Sequence, residues 1–404
     1  MLNEKNNRIL GGALMISGTA IGAGMLGLPI KNGPTGFPLA IFSLLSVYLF
    51  MLTSIFLYFE NVPYMNDQSA NLISMTKARL NKPLQYLTWL SYSIVHFSAI
   101  WAYLSAGGDV ISSFLSSQLL LEAPEWQCSI AFSVIFGSLT FAHISIIDRI
   151  NRLFMTGLFF SFALLFIKMT PMVQLKYLST VNFNESLIIG IPVTVTAYTS
   201  HIIIPSLRDH FNNDIKSLTT AIAIGTFLPF LFYAIWELLI LGMIPTSGSN
   251  SIQFISSQTK PLVVLLSIIS TSNDTKILLV LFQMFALVTS FFGLSLSLRD
   301  FFRDGLKLDQ SFRSRAIASA IALLPPLVLT LIFPDGFKKA INYIGSFDAI
   351  CFIIIPVMMS WKARYIDHIQ TEVKLPGGKV SLIIMAMLGT FVILTGLLFP
   401  LSSQ

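Results

Sequence analysis

Two stretches of the sequence combine residue types that can bind a small zwitterion inside an apolar protein. Residues 17–29 (SGTAIGAGMLGLP) contain four glycines, each of which weakens a helix by roughly 1 kcal/mol relative to alanine. Residues 191–207 place threonine, tyrosine, serine and histidine side chains between Pro192 and Pro205. An interrupted helix leaves backbone N–H and C=O groups without partners, and these groups can bind a carboxylate and an ammonium without a buried fixed charge.

The first stretch is expected to bind the carboxylate through Gly22, Ala23 and Gly24, because the N-terminal end of a half-helix carries a positive partial charge. The backbone of residues 197–200 is expected to bind the amine. The candidate substrate-binding residues are Gly22, Ala23, Gly24, Thr196, Ala197, Tyr198, Thr199 and Ser200, with Trp101, Phe285 and Phe347 as pocket aromatics. The alternative for residues 17–29 is a small-residue face for helix packing. A dinucleotide site is excluded, since no strand precedes the G-x-G-x-x-G spacing at 22–27.

Ionisable and hydroxyl side chains inside apolar runs are candidates for ion coupling. The candidates are His201, Glu237, Asp348 and the adjacent hydroxyls Thr289 and Ser290. We interpret His96 as a packed, hydrogen-bonded histidine, His143 as lying near the headgroups, and Asp109 as lying near a membrane edge. The two cysteines, Cys128 and Cys351, are interpreted as small core residues. We expect no metal site and no cofactor.

The composition indicates that these residues are positioned by transmembrane helices. Of the 404 residues, 54% are hydrophobic and 11% are charged, whereas a soluble domain carries about a quarter charged residues. Continuous apolar runs of about 20 residues match the ~30 Å hydrocarbon layer and exclude a β-barrel. We predict eleven helices, near residues 9–30, 37–60, 84–106, 128–147, 152–171, 186–205, 218–242, 276–298, 315–333, 340–360 and 380–400. The apolar segment 261–271 is too short to span.

Basic residues predict the orientation of these helices. Counted in alternate connections, 18 lysines and arginines lie on the side of the N-terminus and seven on the other side. The positive-inside rule therefore places the N-terminus in the cytoplasm and the C-terminus outside. The net charge of +6 reflects this orientation in the lipid bilayer rather than a nucleic-acid partner.

The spacing of the two interrupted stretches predicts an internal repeat. The two interruptions lie in predicted helices 1 and 6, five helices apart. This is the spacing of transporters with a five-plus-five inverted repeat, in which paired broken helices mark the substrate site. The first repeat is expected over about 9–171 and the second over about 186–360, with an extra helix near 380–400. The whole chain is then one all-α polytopic transmembrane domain.

Four motifs resemble those of the aromatic amino acid permeases, the bacterial tyrosine- and tryptophan-specific transporters of the amino acid–polyamine–organocation superfamily. They are GTAIGAGMLGLP at 18–29, TAYTSHIIIPSL at 196–207, VTSFFGLSLSLRDF at 288–301, and Tyr343, Gly345, Ile350 and Pro356. The resemblance implies uptake of tyrosine, tryptophan or both across a bacterial inner membrane by proton symport with alternating access. Serine- or threonine-type symporters have similar motifs and stay an alternative.

Sodium coupling is a second alternative, because Thr289 and Ser290 resemble the oxygen ligands of sodium sites in distant relatives of this fold.

Other classes of protein fit the sequence less well. An intramembrane aspartyl protease would need a G-x-G-D motif, and Ala106 replaces its first glycine before Asp109. No metalloprotease or serine hydrolase motif is present, so no enzyme is predicted. A channel would not accumulate solute against a gradient.

Overall fold

The structure is a computed structural model that describes residues 2–62, 71–118, 120–141, 144–211, 214–258, 264–265, 268–270, 272–309, 311–333, 344–369 and 373–398. These residues form helices and connecting turns, and no strand is present among them. The helices are α1 (Leu2–Ala20), α2 (Ala23–Asn32), α3 (Phe37–Asn61), α4 (Leu72–Arg79), α5 (Lys82–Gln118), α6 (Glu125–Phe132), α7 (Ile144–Met169), α8 (Leu175–Leu178), α9 (Ile191–Ala197), α10 (Ile204–His210), α11 (Ile215–Met243), α12 (Ile252–Ser257), α13 (Asn273–Gly305), α14 (Phe312–Ile332), α15 (Ile344–Tyr365) and α16 (Gly378–Leu398).

The chain is an all-α polytopic membrane protein, as the sequence predicts. Eight of the described helices are long and apolar enough to cross a membrane, and a bent pair made by α1 and α2 adds a ninth. The predicted helices 4 and 6 correspond to shorter helical segments, so the structure does not establish the predicted count of eleven. The α6 segment, for example, continues through a π-helical turn at Ser133–Gly137 and a 3-10 turn at Ser138–Phe141.

The two predicted interruptions are present. α1 ends at Ala20, Ile21 and Gly22 are not helical, and α2 leaves at an angle of 55°. α9 ends at Ala197, residues 198–200 are not helical, and a 3-10 turn at His201–Ile203 leads into α10. The alternative of a small-residue packing face over residues 17–29 is compatible with this interruption, because Gly22 and Gly24 also lie in close contact with neighbouring segments.

The third predicted helix is twelve residues longer than expected at its C-terminal end. Gly107 and Gly108, which come directly after the predicted end, lie within α5 and face α6. A β-carbon at Gly107 would lie 2.5 Å from the Phe132 ring, and one at Gly108 would lie 2.1 Å from the Ser129 hydroxyl. The glycines therefore allow α5 and α6 to approach closely, as small residues do between membrane helices.

The exterior of the helices is apolar, while polar groups are concentrated inside. Large side chains such as Phe42, Phe160 and Leu324 are more than half exposed, which matches a lipid environment. One interior group is an ion pair that joins α3 to α15: Arg364 Nε donates to Glu60 Oε1 at 2.6 Å, and its second nitrogen to Oε2. Breaking a buried pair of this kind costs about 3–5 kcal/mol, so this contact ties the two helices together.

Outside the apolar segments, Asp214 caps the start of α11. Its carboxylate accepts hydrogen bonds from the hydroxyl and the backbone amide of Ser217, at 2.6 and 3.1 Å. These bonds lower the pKa of Asp214. A negative side chain at a helix N-terminus is stabilising, and the cap sets where α11 begins.

Candidate functional site

A cavity lies where the two interrupted helices meet. The space inside it that water molecules can occupy is about 60 Å³. Backbone and side chains from both interruptions form one wall, and α5, α13 and α15 form the others. The lining residues are Thr19, Ala20, Gly24, Val95, His96, Ala99, Ala102, Tyr103, Thr196, Ala197, Thr199, Ile202, Leu294, Ile344, Asp348 and Phe352.

Tyr233 on α11 links the two interruptions from behind the cavity. Its hydroxyl lies 2.7 Å from the carbonyl oxygen of Ala20, where α1 ends, and 2.7 Å from that of Ala197, where α9 ends. Both carbonyls belong to last turns, whose C=O groups have no partner within the helix. A hydroxyl has one proton to donate, so the two helix ends share a single donor.

Gly24 allows the two interruptions to touch. A β-carbon on Gly24 would lie 3.3 Å from the Cα and 3.4 Å from the Cβ of Ala197. On the other side, a β-carbon on Gly22 would lie 1.9 Å from the Ser290 hydroxyl and 3.1 Å from that of Tyr103. Any larger side chain at these two positions would push the neighbouring helices apart.

Four helix ends of opposite polarity meet at this point. The C-terminal ends of α1 and α9 carry negative partial charge, and the N-terminal ends of α2 and of the 201–210 segment carry positive partial charge. The amides of Ala23 and Gly24 are in the first turn of α2, where they have no intrahelical acceptor. The arrangement can bind an anionic and a cationic group side by side.

The predicted substrate-binding residues lie on two different sides of the interruptions. Gly24, Thr196, Ala197 and Thr199 line the cavity, and Gly22 lies beside Tyr103 at its edge. Tyr198 and Ser200 instead line a separate small space next to α3 and α11. There the Tyr198 ring packs against the rings of Tyr48 and Tyr233, with centroids 6.0 and 5.1 Å away.

The three predicted pocket aromatics do not line the cavity. Trp101 donates its indole N–H to the carbonyl of Phe333 at 3.0 Å. Phe285 meets the ring of Phe154 edge-on at 5.6 Å, between α7 and α13. Phe347 packs behind the apolar wall formed by Val95, Ala99, Ala102 and Ile344. Among the described residues, the aromatic rings of the lining are those of His96, Tyr103 and Phe352.

Of the predicted coupling residues, Asp348 alone lines the cavity. Its carboxylate is buried, and neither oxygen has a hydrogen-bond partner among the described residues. The side chains of Thr196 and Thr199, on the second interruption, lie near this carboxylate and line the same cavity. Asp348 therefore places an ionisable group against α9.

The other coupling candidates lie behind the cavity walls. Glu237 is buried next to the Asn32 side chain, and neither of its oxygens has a hydrogen-bond partner in the described part of the chain. His201 Nε2 lies 3.2 Å from the Ser54 hydroxyl, and the His201 ring stacks on Phe352. Thr289 donates to the carbonyl of Phe285 on its own helix at 2.9 Å, whereas the Ser290 hydroxyl has no described partner.

Several residues at the site were missed by the sequence analysis. Tyr233 and Tyr103 lie on long apolar helices where no spacing distinguishes them from core residues. Asn32 ends α2, and its side-chain amide donates to the Thr194 hydroxyl at 3.2 Å, which ties α2 to α9. The sequence predicts a hydrogen-bonded ring for His96, and among the described residues one of its two ring nitrogens, Nδ1, has a hydrogen-bond partner. His143 lies outside the described residues.

We predict that Tyr233→Phe lowers the free energy of unfolding by about 1–3 kcal/mol, because two buried carbonyls lose their shared donor. Thermal unfolding of the purified protein in detergent measures the change. Tyr86→Phe is the matched control, since Tyr86 is 71% exposed and should unfold as the wild type does. Equal stability of Tyr233→Phe and the wild type would contradict this role of the hydroxyl.

Comparisons with known proteins find similarity along nearly the whole chain. Residues 5–396 match the tryptophan/tyrosine permease family. The chain is 30% identical over 390 residues to the tyrosine-specific transport system 1 of Haemophilus influenzae, covering 96% of both proteins. It is 29% identical to a tryptophan-specific transport protein of Pseudomonas aeruginosa, over 88% of this chain and 86% of the other.

A third relative is the low affinity tryptophan permease of Escherichia coli, which is 28% identical over 371 residues, 89% of this chain and 88% of that protein. The resemblance noted in the four motifs thus extends over nearly the whole sequence. The chain belongs to the tryptophan/tyrosine permease family.

Proposed function

We propose that the protein imports tyrosine, tryptophan or both across a bacterial inner membrane by proton symport with alternating access. The observation that carries this proposal is the cavity wall made by both interruptions, Ala20 and Gly24 on one helix and Ala197 on the other. The names of the relatives, which include a tyrosine-specific and a tryptophan-specific transport protein, support the choice of substrate.

In the proposed binding mode, the amides at the start of α2 bind the substrate carboxylate, as helix N-termini do. The substrate ammonium donates to the carbonyl ends of α1 and α9. The Tyr233 hydroxyl can donate only one hydrogen bond to the two carbonyls. The carbonyls at the ends of α1 and α9 can therefore accept further hydrogen bonds from the ammonium. The aromatic ring then lies between the small residues of α5 and the apolar side chains of α13 and α15.

The proposal includes two inverted repeats that alternate in access, the first over about residues 9–171 and the second over about 186–360, with an extra helix near 380–400. The interruptions occupy the first helix of each repeat, as in transporters built this way. The distribution of lysine and arginine supports a cytoplasmic N-terminus and an outer C-terminus.

Asp348 is the proposed proton-binding residue. A carboxylate buried among membrane helices is costly when charged, and no described group forms a hydrogen bond with it. Protonation removes that cost. Because Asp348 lies near Thr196 and Thr199, its protonation is coupled to the second interruption in this proposal. Sodium is the second candidate ion, favoured by the Ser290 hydroxyl beside Gly22, for which the described residues offer no hydrogen-bond partner.

We predict that cells producing the protein accumulate labelled tyrosine or tryptophan against a gradient, and that a protonophore abolishes this accumulation. One positive charge gains about 2.3 kcal/mol per 100 mV, which supports roughly a 50-fold gradient. Uptake is measured in cells lacking other aromatic transporters, with and without sodium. Accumulation that resists the protonophore and stops without sodium would favour the sodium alternative, and absence of uptake of both amino acids would contradict the proposal.

Gly24→Leu is expected to reduce uptake on the order of 100-fold, because a side chain there displaces Ala197 and misplaces the bound substrate. Gly11→Leu is the matched control on the same interrupted helix, since a β-carbon at Gly11 meets nothing within 4 Å. Both variants are compared at equal amounts in the membrane. Wild-type uptake by Gly24→Leu would show that the contact between the interruptions is dispensable.

Asp348→Asn should abolish accumulation against a gradient while preserving exchange of labelled for unlabelled substrate, because the amide cannot carry the proton. Accumulation and exchange are measured in proteoliposomes with an imposed pH gradient. Asp274→Asn is the control: its carboxylate is exposed and pairs with Lys168 at 3.3 Å. Intact accumulation in Asp348→Asn, with its loss in Glu237→Gln, would assign the proton to Glu237 instead.

A further inference from the structure

His96 belongs to the cavity wall, and one of its ring nitrogens is a hydrogen-bond acceptor without a partner among the described residues. The Nδ1 atom lies 2.9 Å from the backbone carbonyl oxygen of Tyr92, one turn earlier on α5. A carbonyl can only accept, so Nδ1 carries the proton and a neutral imidazole keeps a bare lone pair on Nε2. His96 is fully buried, and Nε2 has no hydrogen-bond partner among the described residues.

The orientation of the His96 ring is fixed by its neighbours. The ring stacks on Tyr92 with centroids 4.0 Å apart, and Tyr92 in turn stacks on Phe301 at 4.1 Å. The Tyr92 hydroxyl is anchored by the Ser297 hydroxyl at 2.5 Å. Because Nδ1 is held against the helix backbone, Nε2 on the opposite edge of the ring is directed away from α5.

The position of His96 matches the far end of an aromatic amino acid bound at the interruptions. His96, Ala99 and Tyr103 lie on one face of α5 and line the same cavity. Tyr103 is at the level of the first interruption, where its hydroxyl approaches Gly22. His96 is seven residues earlier, which is about 10 Å along the helix, and the side chains that α5 contributes to the wall between the two levels include those of Ala99 and Ala102, which are small.

We propose that His96 Nε2 accepts a hydrogen bond from the substrate side chain and makes the protein select aromatic rings that carry a donor. The phenol O–H of tyrosine and the indole N–H of tryptophan both supply one, whereas phenylalanine does not. A site built to hydrogen-bond a substrate group rejects the analogue that lacks it, because its own buried polar atom is left unpaired. This inference rests on the proposed function and names the group that distinguishes one substrate side chain from another.

The test compares pairs of substrates that differ in the donor alone. Initial uptake rates and half-saturating concentrations are measured for tyrosine against phenylalanine, and for tryptophan against its benzothiophene analogue, which lacks the N–H. The wild type should favour the donor-bearing member of each pair by about tenfold or more. Equal use of tyrosine and phenylalanine by the wild type would overturn the inference without any mutation.

Variants of His96 then assign the selectivity to this residue. His96→Leu should bring each ratio close to one by weakening tyrosine and tryptophan while leaving phenylalanine largely unchanged. His96→Gln, which keeps an acceptor oxygen, should restore part of the preference. His368→Asn changes an exposed histidine outside the cavity and should keep the wild-type ratios.

The outcomes separate this inference from the proposed function. A His96→Leu variant that loses tyrosine and phenylalanine uptake equally would show a structural role and overturn the inference, while transport by the wild type would still support the proposed function. Absence of wild-type uptake of both tyrosine and tryptophan would overturn the two together.

Discussion

A carbonyl group that loses its helical partner inside a bilayer must find a donor within the protein, since the hydrocarbon core contains no water. Two helices stop side by side here, at Ala20 and at Ala197, and both of their last carbonyls turn to the hydroxyl of Tyr233. The contact between Gly24 and Ala197 brings the same two segments together on the other side. The cavity exists because these two contacts hold the interruptions open and adjacent.

The interruptions could be predicted because their causes are local. Glycines at positions 22 and 24 weaken the helix where they occur, and the polar residues 194–201 follow a proline in an otherwise apolar run. The membrane helices could be predicted from hydropathy for a similar reason. Their lengths could not, because Gly107 and Gly108 act through contacts with α6 that no local pattern indicates.

The direction of each side chain was harder to predict than its depth in the membrane. Thr196 and Thr199 face the cavity, whereas Tyr198, between them in sequence, faces Tyr48 and Tyr233. The chain contains 34 phenylalanines, 11 tyrosines and 5 tryptophans, so aromatic residues are available on nearly every helix face. Trp101, Phe285 and Phe347 accordingly pack elsewhere, and the aromatic rings that line the cavity among the described residues are those of His96, Tyr103 and Phe352.

The hydrogen bond between Asn32 and Thr194 bears on how the proposed site would open in turn to the two sides of the membrane. It joins α2 to α9 on one side of the interruptions, while α1 packs along α11 on the other. Residues 21–22 and 198–200, which lie outside the helices, separate these pairs and provide the positions where backbone angles can change. In the proposed mechanism, α2 and α9 therefore tilt together about the bound substrate. Because the carboxylate of Asp348 lies near Thr196 and Thr199, this tilt changes the surroundings of the carboxylate.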